Sequence, residues 1–205
     1  GNHGSLNGDV NWVMHDNSSL GDMYGSALCF GDRSSYVAVP SDNLSVTDGF
    51  TVTCWSRFNT SLGSHHILGV DGSWQLSRND GKLSITLWRL DGEVVVSDVA
   101  VLPMGVWTFI GVAYSGGVLK VVVRSNELNE TVGMYTLGEY SLNVSSNPLV
   151  MGGFMGYLDE IWLFSRDISL SEVDSIWFTA YPTLGAVHDI VVQPLPSYAS
   201  FTIDI

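Results

Sequence analysis

Apolar and polar residues alternate along much of this chain, and short turn sequences rich in glycine interrupt the alternation. Phe50-Thr51-Val52-Thr53-Cys54-Trp55-Ser56-Arg57-Phe58 sets large apolar residues against small or polar ones. That period of two marks a half-buried strand. Residues 74–78 and 83–88 repeat it, with the turn Asn79-Asp80-Gly81-Lys82 between them. Residues 67–70 stop at Asp71-Gly72 and the strand through Trp88 stops at Asp91-Gly92. Asp-Gly is among the strongest short turn sequences, because glycine and aspartate tolerate the backbone that a tight hairpin needs. Residues 107–114, the turn Ser115-Gly116-Gly117 and residues 118–124 read as a hairpin. Residues 27–30, 36–39, 93–97, 149–153 and 156–164 add further strands. About ten or more short strands at such spacing predict an all-β sandwich or barrel.

One helix interrupts the pattern. Ser169 and Glu172 have the spacing of a capping box, and Val173, Ile176 and Trp177 follow on one helical face. This predicts a single short helix near residues 169–178. Beyond it, the tail from Pro182 holds three of the six prolines. The main domain is therefore expected over residues 1–181. Residues 182–205 read as a C-terminal edge strand, a linker or the start of a following domain, with 190–192 and 201–203 as weak strand candidates.

Length and charge narrow the function. At 205 residues the chain is of a size that one sandwich can fill, and hydrophobic residues at 45% supply a core. Eight Lys and Arg stand against 21 Asp and Glu, for a net charge of −13. A surface built to grip phosphates carries the opposite sign, so nucleic acid is excluded, and sulfated glycans and anionic membranes are disfavoured. Arg78, Lys82 and Arg89 fall close together but read as ordinary solvated strand positions, not as a basic strip. No apolar run is long enough to cross a membrane as a helix. The opening Gly1-Asn2-His3-Gly4 starts mid-pattern, as in an excised or processed domain.

Two features point outside the cell. Five Asn-x-Ser/Thr sequons occur, at Asn17, Asn43, Asn59, Asn129 and Asn143, all in stretches that read as loops or strand ends. The cysteines are two, Cys29 and Cys54. An even count in a secreted chain suggests a disulfide, with a pair of buried free thiols as the alternative.

The order of these segments resembles the laminin-G-like, concanavalin A-like jelly rolls, in the branch that also looks like pentraxins. Residues 1–6 resemble the opening strand. Ala27-Leu28-Cys29-Phe30-Gly31-Asp32 and the strand that ends at Pro40 resemble the family's first turn and its following strand. Phe50-Thr51-Val52-Thr53-Cys54-Trp55, the hairpin opened by Trp107, and Gly156-Tyr157-Leu158-Asp159-Glu160-Ile161 complete the match, with Leu170-Ser171-Glu172-Val173 as the helix. The resemblance spans roughly residues 1–180. It implies a two-sheet antiparallel jelly roll. It also implies that the strands bearing Cys29 and Cys54 lie side by side, which would allow a cross-strand bridge.

The resemblance implies calcium as well. The acidic residue that opens the last core strand, here Asp159, often helps to hold one ion in such folds, and Asp32 is a plausible neighbour. Hard cations take several carboxylate and carbonyl oxygens. Asp71, Asn79, Asp80 and Asp91 sit in turns and form a second candidate cluster, although turn chemistry alone accounts for all four. The tryptophans read as packing residues: Trp55, Trp107 and Trp162 at core strand positions, Trp177 on the buried face of the helix, and Trp12, Trp74 and Trp88 undetermined. Catalysis has little support. Strands 83–88 and 107–114 carry no acid, and Glu93 and Asp98, like Asp159 and Glu160, are expected to face apart instead of pairing across a scissile bond. His65 and His66 lie in an apparent loop without zinc-ligand spacing. The expectation is an extracellular recognition or adhesion module of a larger secreted or cell-surface protein with a protein partner. The alternative is a calcium-assisted lectin that binds a glycan. A glycoside hydrolase is the remote third reading.

Overall fold

A computed structural model describes residues 4–14, 26–40, 46, 49–60, 63–125, 130–180, 191–193 and 199–200. Among the described residues, fourteen strands precede the helix: β1 (Ser5–Asn7), β2 (Val10–Met14), β3 (Ser26–Phe30), β4 (Tyr36–Val39), β5 (Gly49–Phe58), β6 (Ser64–Val70), β7 (Trp74–Asn79), β8 (Lys82–Arg89), β9 (Gly92–Val96), β10 (Thr108–Ser115), β11 (Val118–Arg124), β12 (Thr131–Thr136), β13 (Leu149–Gly152) and β14 (Gly156–Phe164). The helix α1 (Leu170–Ala180) follows, and then the short strands β15 (Val191–Gln193) and β16 (Ala199–Ser200).

The strands form two sheets. One runs β1-β4-β13-β6-β7-β8-β9. The other has nine strands, with the path β12-β11-β10-β5-β14-β15-β16 and with β2 and β3 joined to it through β14. Strand β14 is therefore shared along one edge. Its first half pairs antiparallel with β3, and its second half pairs parallel with β15. The jelly-roll sandwich expected from the alternation is what the chain forms.

The core lies between the sheets. Trp74 of one sheet stacks on Phe50 of the other, with ring centroids 4.7 Å apart, and Phe154 packs on Phe58 and Phe30. Burying each such side chain contributes roughly 1.5–3 kcal/mol, which is why the alternation of large inward residues fixes the register. A second cluster lies outside the sandwich. Trp55, Phe109, Val122, Phe164, Ile168 and Val173 pack between the nine-stranded sheet and α1, with Trp107, Trp162, Ile176 and Trp177 half-buried against them. Trp55, Trp107 and Trp162 therefore belong to the outer face of the sheet and not to the core between the sheets expected for them, because alternation alone does not say which face a helix will cover.

Local chemistry explains the helix. The Ser169 Oγ accepts from the Glu172 N–H at 3.3 Å, and the Glu172 carboxylate accepts from the Ser169 N–H at 2.8 Å. Each satisfies an amide that the first helical turn leaves without a partner. Gly156 fixes the start of β14. Its φ is +150°, and a Cβ there would lie 2.1 Å from the Arg57 carbonyl oxygen. Only glycine allows β5 and β14 to approach so closely.

The structure corrects two further expectations. Arg78 and Arg89 are buried rather than solvated. Arg78 donates to the carbonyls of Leu102 and Thr60 and lies over the Phe58 ring, while Arg89 donates to the Leu137 carbonyl and pairs with Asp91. Cys29 and Cys54 are free thiols. Strand β14 lies between β3 and β5, and Cys29 is level with Arg57, three residues along from Cys54. Two strand spacings of about 4.8 Å already exceed the roughly 7 Å limit on the Cα separation of a bridge. Cys54 also belongs to the core between the sheets, whereas the outward alternation of β3 turns Cys29 to the other face.

Candidate functional site

The outward face of the nine-stranded sheet extends beyond α1, and register brings a set of chemically diverse side chains into one row there. Asn11 faces Cys29, Cys29 faces Tyr157, and Tyr157 faces Arg57. Trp107 continues the row, because the next residue, Thr108, faces Ser56. Their inward neighbours Leu28, Leu158 and Phe58 belong to the core, so the five point away from it. Asn11 is exposed and the other four are half-buried.

The row is held by weak polar and aromatic contacts. The Arg57 guanidinium lies 5.9 Å from the Tyr157 ring centroid, and its Nε donates to the Gly105 carbonyl at 2.9 Å. The Trp107 and Tyr157 rings are 6.0 Å apart at 44°. Asn11 Nδ2 donates to Asp9 Oδ1 at 2.8 Å. The Asp9 carboxylate lies over Gly31, so closely that a Cβ on Gly31 would fall 1.9 Å from Asp9 Oδ2. Burial pushes the Cys29 thiol up, against a hydrogen bond with Tyr157 that favours the thiolate and helped by the nearby negative charge of Asp9. The patch thus offers two aromatic faces, a guanidinium, an amide and a carboxylate within a few strands.

The expected calcium residues flank this patch and do not meet. Asp159 lies one row further along, beside Trp55, and its Oδ1 accepts from the Glu160 N–H at 2.9 Å. Asp32 follows the far end of β3, about five residues or roughly 17 Å along the strand from the level of Asp159. The Asp32 Oδ1 accepts from the Ser34 and Ser35 hydroxyls and the Ser34 N–H, and the Ser34 hydroxyl is the leading reason that its carboxyl is held below the usual range. Among the described residues, no three His, Cys, Asp or Glu side chains gather into a metal-ligand group.

The second candidate cluster also stays apart. Asp71 and Asp91 lie at one end of the β7–β8 hairpin and Asn79 and Asp80 at the other, roughly 20 Å away. Each has its own partners, none of them another member of the four. Asp71 binds Ser145 and Asn147 through its carbonyl, Asn79 accepts from Ser64, Asp80 accepts from the Gly63 N–H, and Asp91 pairs with Arg89. His65 and His66 lie in β6 of the seven-stranded sheet and not in the loop expected for them; His65 contacts Thr60 at 3.4 Å and His66 contacts the Gly152 carbonyl at 3.1 Å. Glu93 faces Trp88, and Asp98 pairs with Lys82 at 3.3 Å. Of the sequons, Asn59 is exposed and Asn143 half-buried, while Asn17, Asn43 and Asn129 lie outside the described residues.

Reading the sequence did not single out Asp9, Asn11, Arg57 or Tyr157, and it assigned Trp107 to the core. The period of two sets Arg57 on the face opposite Phe58 and Tyr157 on the face opposite Leu158. Their meeting depends on the pairing of strands far apart in the chain, and no local pattern carries that information.

Comparison with known proteins agrees with the architecture. The domain 4 structure of AbnA, an extracellular GH43 arabinanase from Geobacillus stearothermophilus, in complex with arabinotriose, is 16% identical with a TM-score of 0.61, over 84% of this chain and 87% of that one. The receptor-binding domain of the botulinum neurotoxin C/D mosaic serotype is 13% identical with a TM-score of 0.55, over 87% and 46%. A structure of botulinum neurotoxin type C, whose cell entry is described as dependent on interaction with two ganglioside molecules, is 14% identical with a TM-score of 0.53, over 92% and 48%. This chain spans about half the length of the toxin domains it matches. No curated protein matches it by sequence. The family model of the concanavalin A-like lectin/glucanases superfamily, in its laminin G form, matches residues 30–174, and the chain belongs to that family.

Proposed function

We propose that this chain is a recognition module that binds a glycan on the outward face of its nine-stranded sheet. The observation that carries the reading is the row Asn11–Cys29–Tyr157–Arg57–Trp107 with Asp9 beside it. Sugar rings present an apolar face and a rim of hydroxyls. Trp107 and Tyr157 offer surfaces on which the apolar face packs, and Asp9, Asn11 and Arg57 offer acceptors and donors for the rim. The neighbours whose structures are described with arabinotriose or gangliosides support a glycan ligand for a domain of this shape. The net charge of −13 favours a neutral glycan over a sulfated one. Binding, not bond cleavage, is the role this face suits. The sequons support a secreted or cell-surface setting within the same proposal.

A protein partner is the second reading, and strand β12 is the feature that favours it. It forms one edge of the nine-stranded sheet and leaves Val132 55% and Met134 70% exposed. An apolar edge strand is a surface that another chain can pair with.

An array of neutral and acidic oligosaccharides, probed in calcium and again in EDTA, tests the proposal. Trp107→Ala and Tyr157→Ala should each weaken the strongest signal about tenfold, on the order of 1.4 kcal/mol. Silence across the array from folded protein sinks the glycan reading and passes the question to β12. A signal lost in EDTA gives calcium a part, with Asp159 and Asp32 as the first carboxylates to replace.

A further inference from the structure

The patch has a modification site on its rim. Strand β5 ends at Phe58, yet its pairing with β14 runs one residue further, because the Asn59 N–H donates to the Met155 carbonyl at 2.9 Å. Phe58 points into the core. Asn59 therefore returns to the outward face, two residues from Arg57, just as Met155 stands two residues from Tyr157. Residues two apart on a strand are separated by roughly 7 Å. Asn59 and Met155 are both exposed, Met155 at 39%. Across the sheet this rim row continues through Gly31, which has no side chain, to Asp9. Asn59-Thr60-Ser61 is a complete sequon.

We propose that an N-linked glycan on Asn59 lies along the Tyr157–Arg57–Trp107 row and covers it, so that occupancy of this one sequon sets how much of the site is open. The sugar is tethered roughly 7 Å from the row, so its effective concentration there is high without any strong contact. The cover meets the same aromatic faces and polar groups that the proposed function assigns to an incoming glycan, and in that respect it rests on that reading. Asn143 provides an internal contrast. Its N–H donates to the Trp88 carbonyl at the end of β8, in the other sheet, so a glycan there starts from the opposite side of the sandwich.

The test uses the full chain secreted from a mammalian cell line, compared with Asn59→Gln and Asn143→Gln. Peptide mapping reads the occupancy of Asn59, and hydroxyl-radical footprinting reads the exposure of Met155, Tyr157 and Trp107 without any ligand. The expected result is an occupied Asn59, oxidation of these three residues that rises severalfold in Asn59→Gln and after enzymatic removal of the glycan, and no change in Asn143→Gln. An unoccupied Asn59, or equal oxidation in glycosylated and Asn59→Gln protein, overturns the proposal. Because the footprint needs no glycan ligand, a silent array counts against the function while leaving this result to stand or fall alone.

Discussion

Burial pushes the Cys54 thiol up to about 12, because the space between the sheets disfavours the thiolate. The thiolate is the reactive form, so Cys54 is inert at neutral pH and the half-buried Cys29 is the thiol that reagents reach first. Alkylation of native protein should label Cys29 slowly and leave Cys54 untouched, and unfolding without reductant should expose two thiols. Zero thiols in the unfolded, unreduced chain would mean that a bridge exists and that β3 and β5 do not sit as described. Gly156 makes an equally local claim. An added methyl group would strike the Arg57 carbonyl, so Gly156→Ala should cost about 3 kcal/mol or more by urea denaturation, or prevent folding. An unchanged midpoint would contradict the close approach of β5 and β14. Little of this was legible in the sequence. The alternation puts Cys54 and Arg57 on opposite faces of β5, but the core position expected for Trp55 left open which face is which. Whether two cysteines on different strands are neighbours depends on what lies between the strands, and here it is β14, a hundred residues away in the chain.

The elements were read more successfully, because short-range chemistry decides them. The turns Asp71-Gly72, Asn79-Asp80-Gly81-Lys82 and Ser115-Gly116-Gly117 connect the strands they were expected to connect, and the capping box places the helix one residue after Ser169. What the helix covers was not legible. Trp177 stacks on Trp55 at 4.7 Å, meets Phe109 edge to face and has the Arg124 guanidinium over its ring, while Arg124 also holds Asp174 of the helix. Trp177→Ala should therefore cost about 3 kcal/mol and shift the denaturant midpoint without abolishing the β-sheet circular dichroism, since the core between the sheets is untouched. Glu172 ties the helix start to pH. A hydrogen bond from Arg166, followed by those from Ser169, holds its carboxyl at about 2. A carboxyl depressed in the folded state stabilises above its unfolded value, near 4.5, and that contribution is lost as pH falls toward 2. The pair is largely solvated, so the contribution is about 1 kcal/mol at most. Glu172→Gln should flatten the stability profile between pH 4.5 and 2 and leave its shape above pH 5 unchanged. A profile identical to that of the parent chain would refute the link.

At the scale of the molecule, the acidic balance and the strand count constrained the class, while topology settled what the class is made of. The jelly roll was legible because alternation, turn spacing and the order of its segments agree. The site was not, because its row crosses β2, β3, β14, β5 and the entrance to β10, and the register across them is a property of the whole sheet. The tail shows the same dependence on distant pairing. Its sequence allowed an edge strand, a linker or a new domain. In the structure, β15 adds to the second half of β14 in parallel, pairing Val191 with Trp162 and Gln193 with Phe164, and β16 pairs with β15. Without β15, the backbone amides and carbonyls of β14 from Trp162 to Phe164 would lose their partners on that side, at the edge of the second cluster that α1 covers. The chain cut after residue 181 keeps both sheets' core residues and the Asn11–Trp107 row, so it should fold and bind any array ligand as the full chain does. Its melting temperature should fall by about 2–4 °C for each kcal/mol that the added strand contributes. Equal melting temperatures would mean that residues 182–205 add nothing to this sheet, while a truncated chain that does not fold would make the tail an integral part of the domain and extend it past α1.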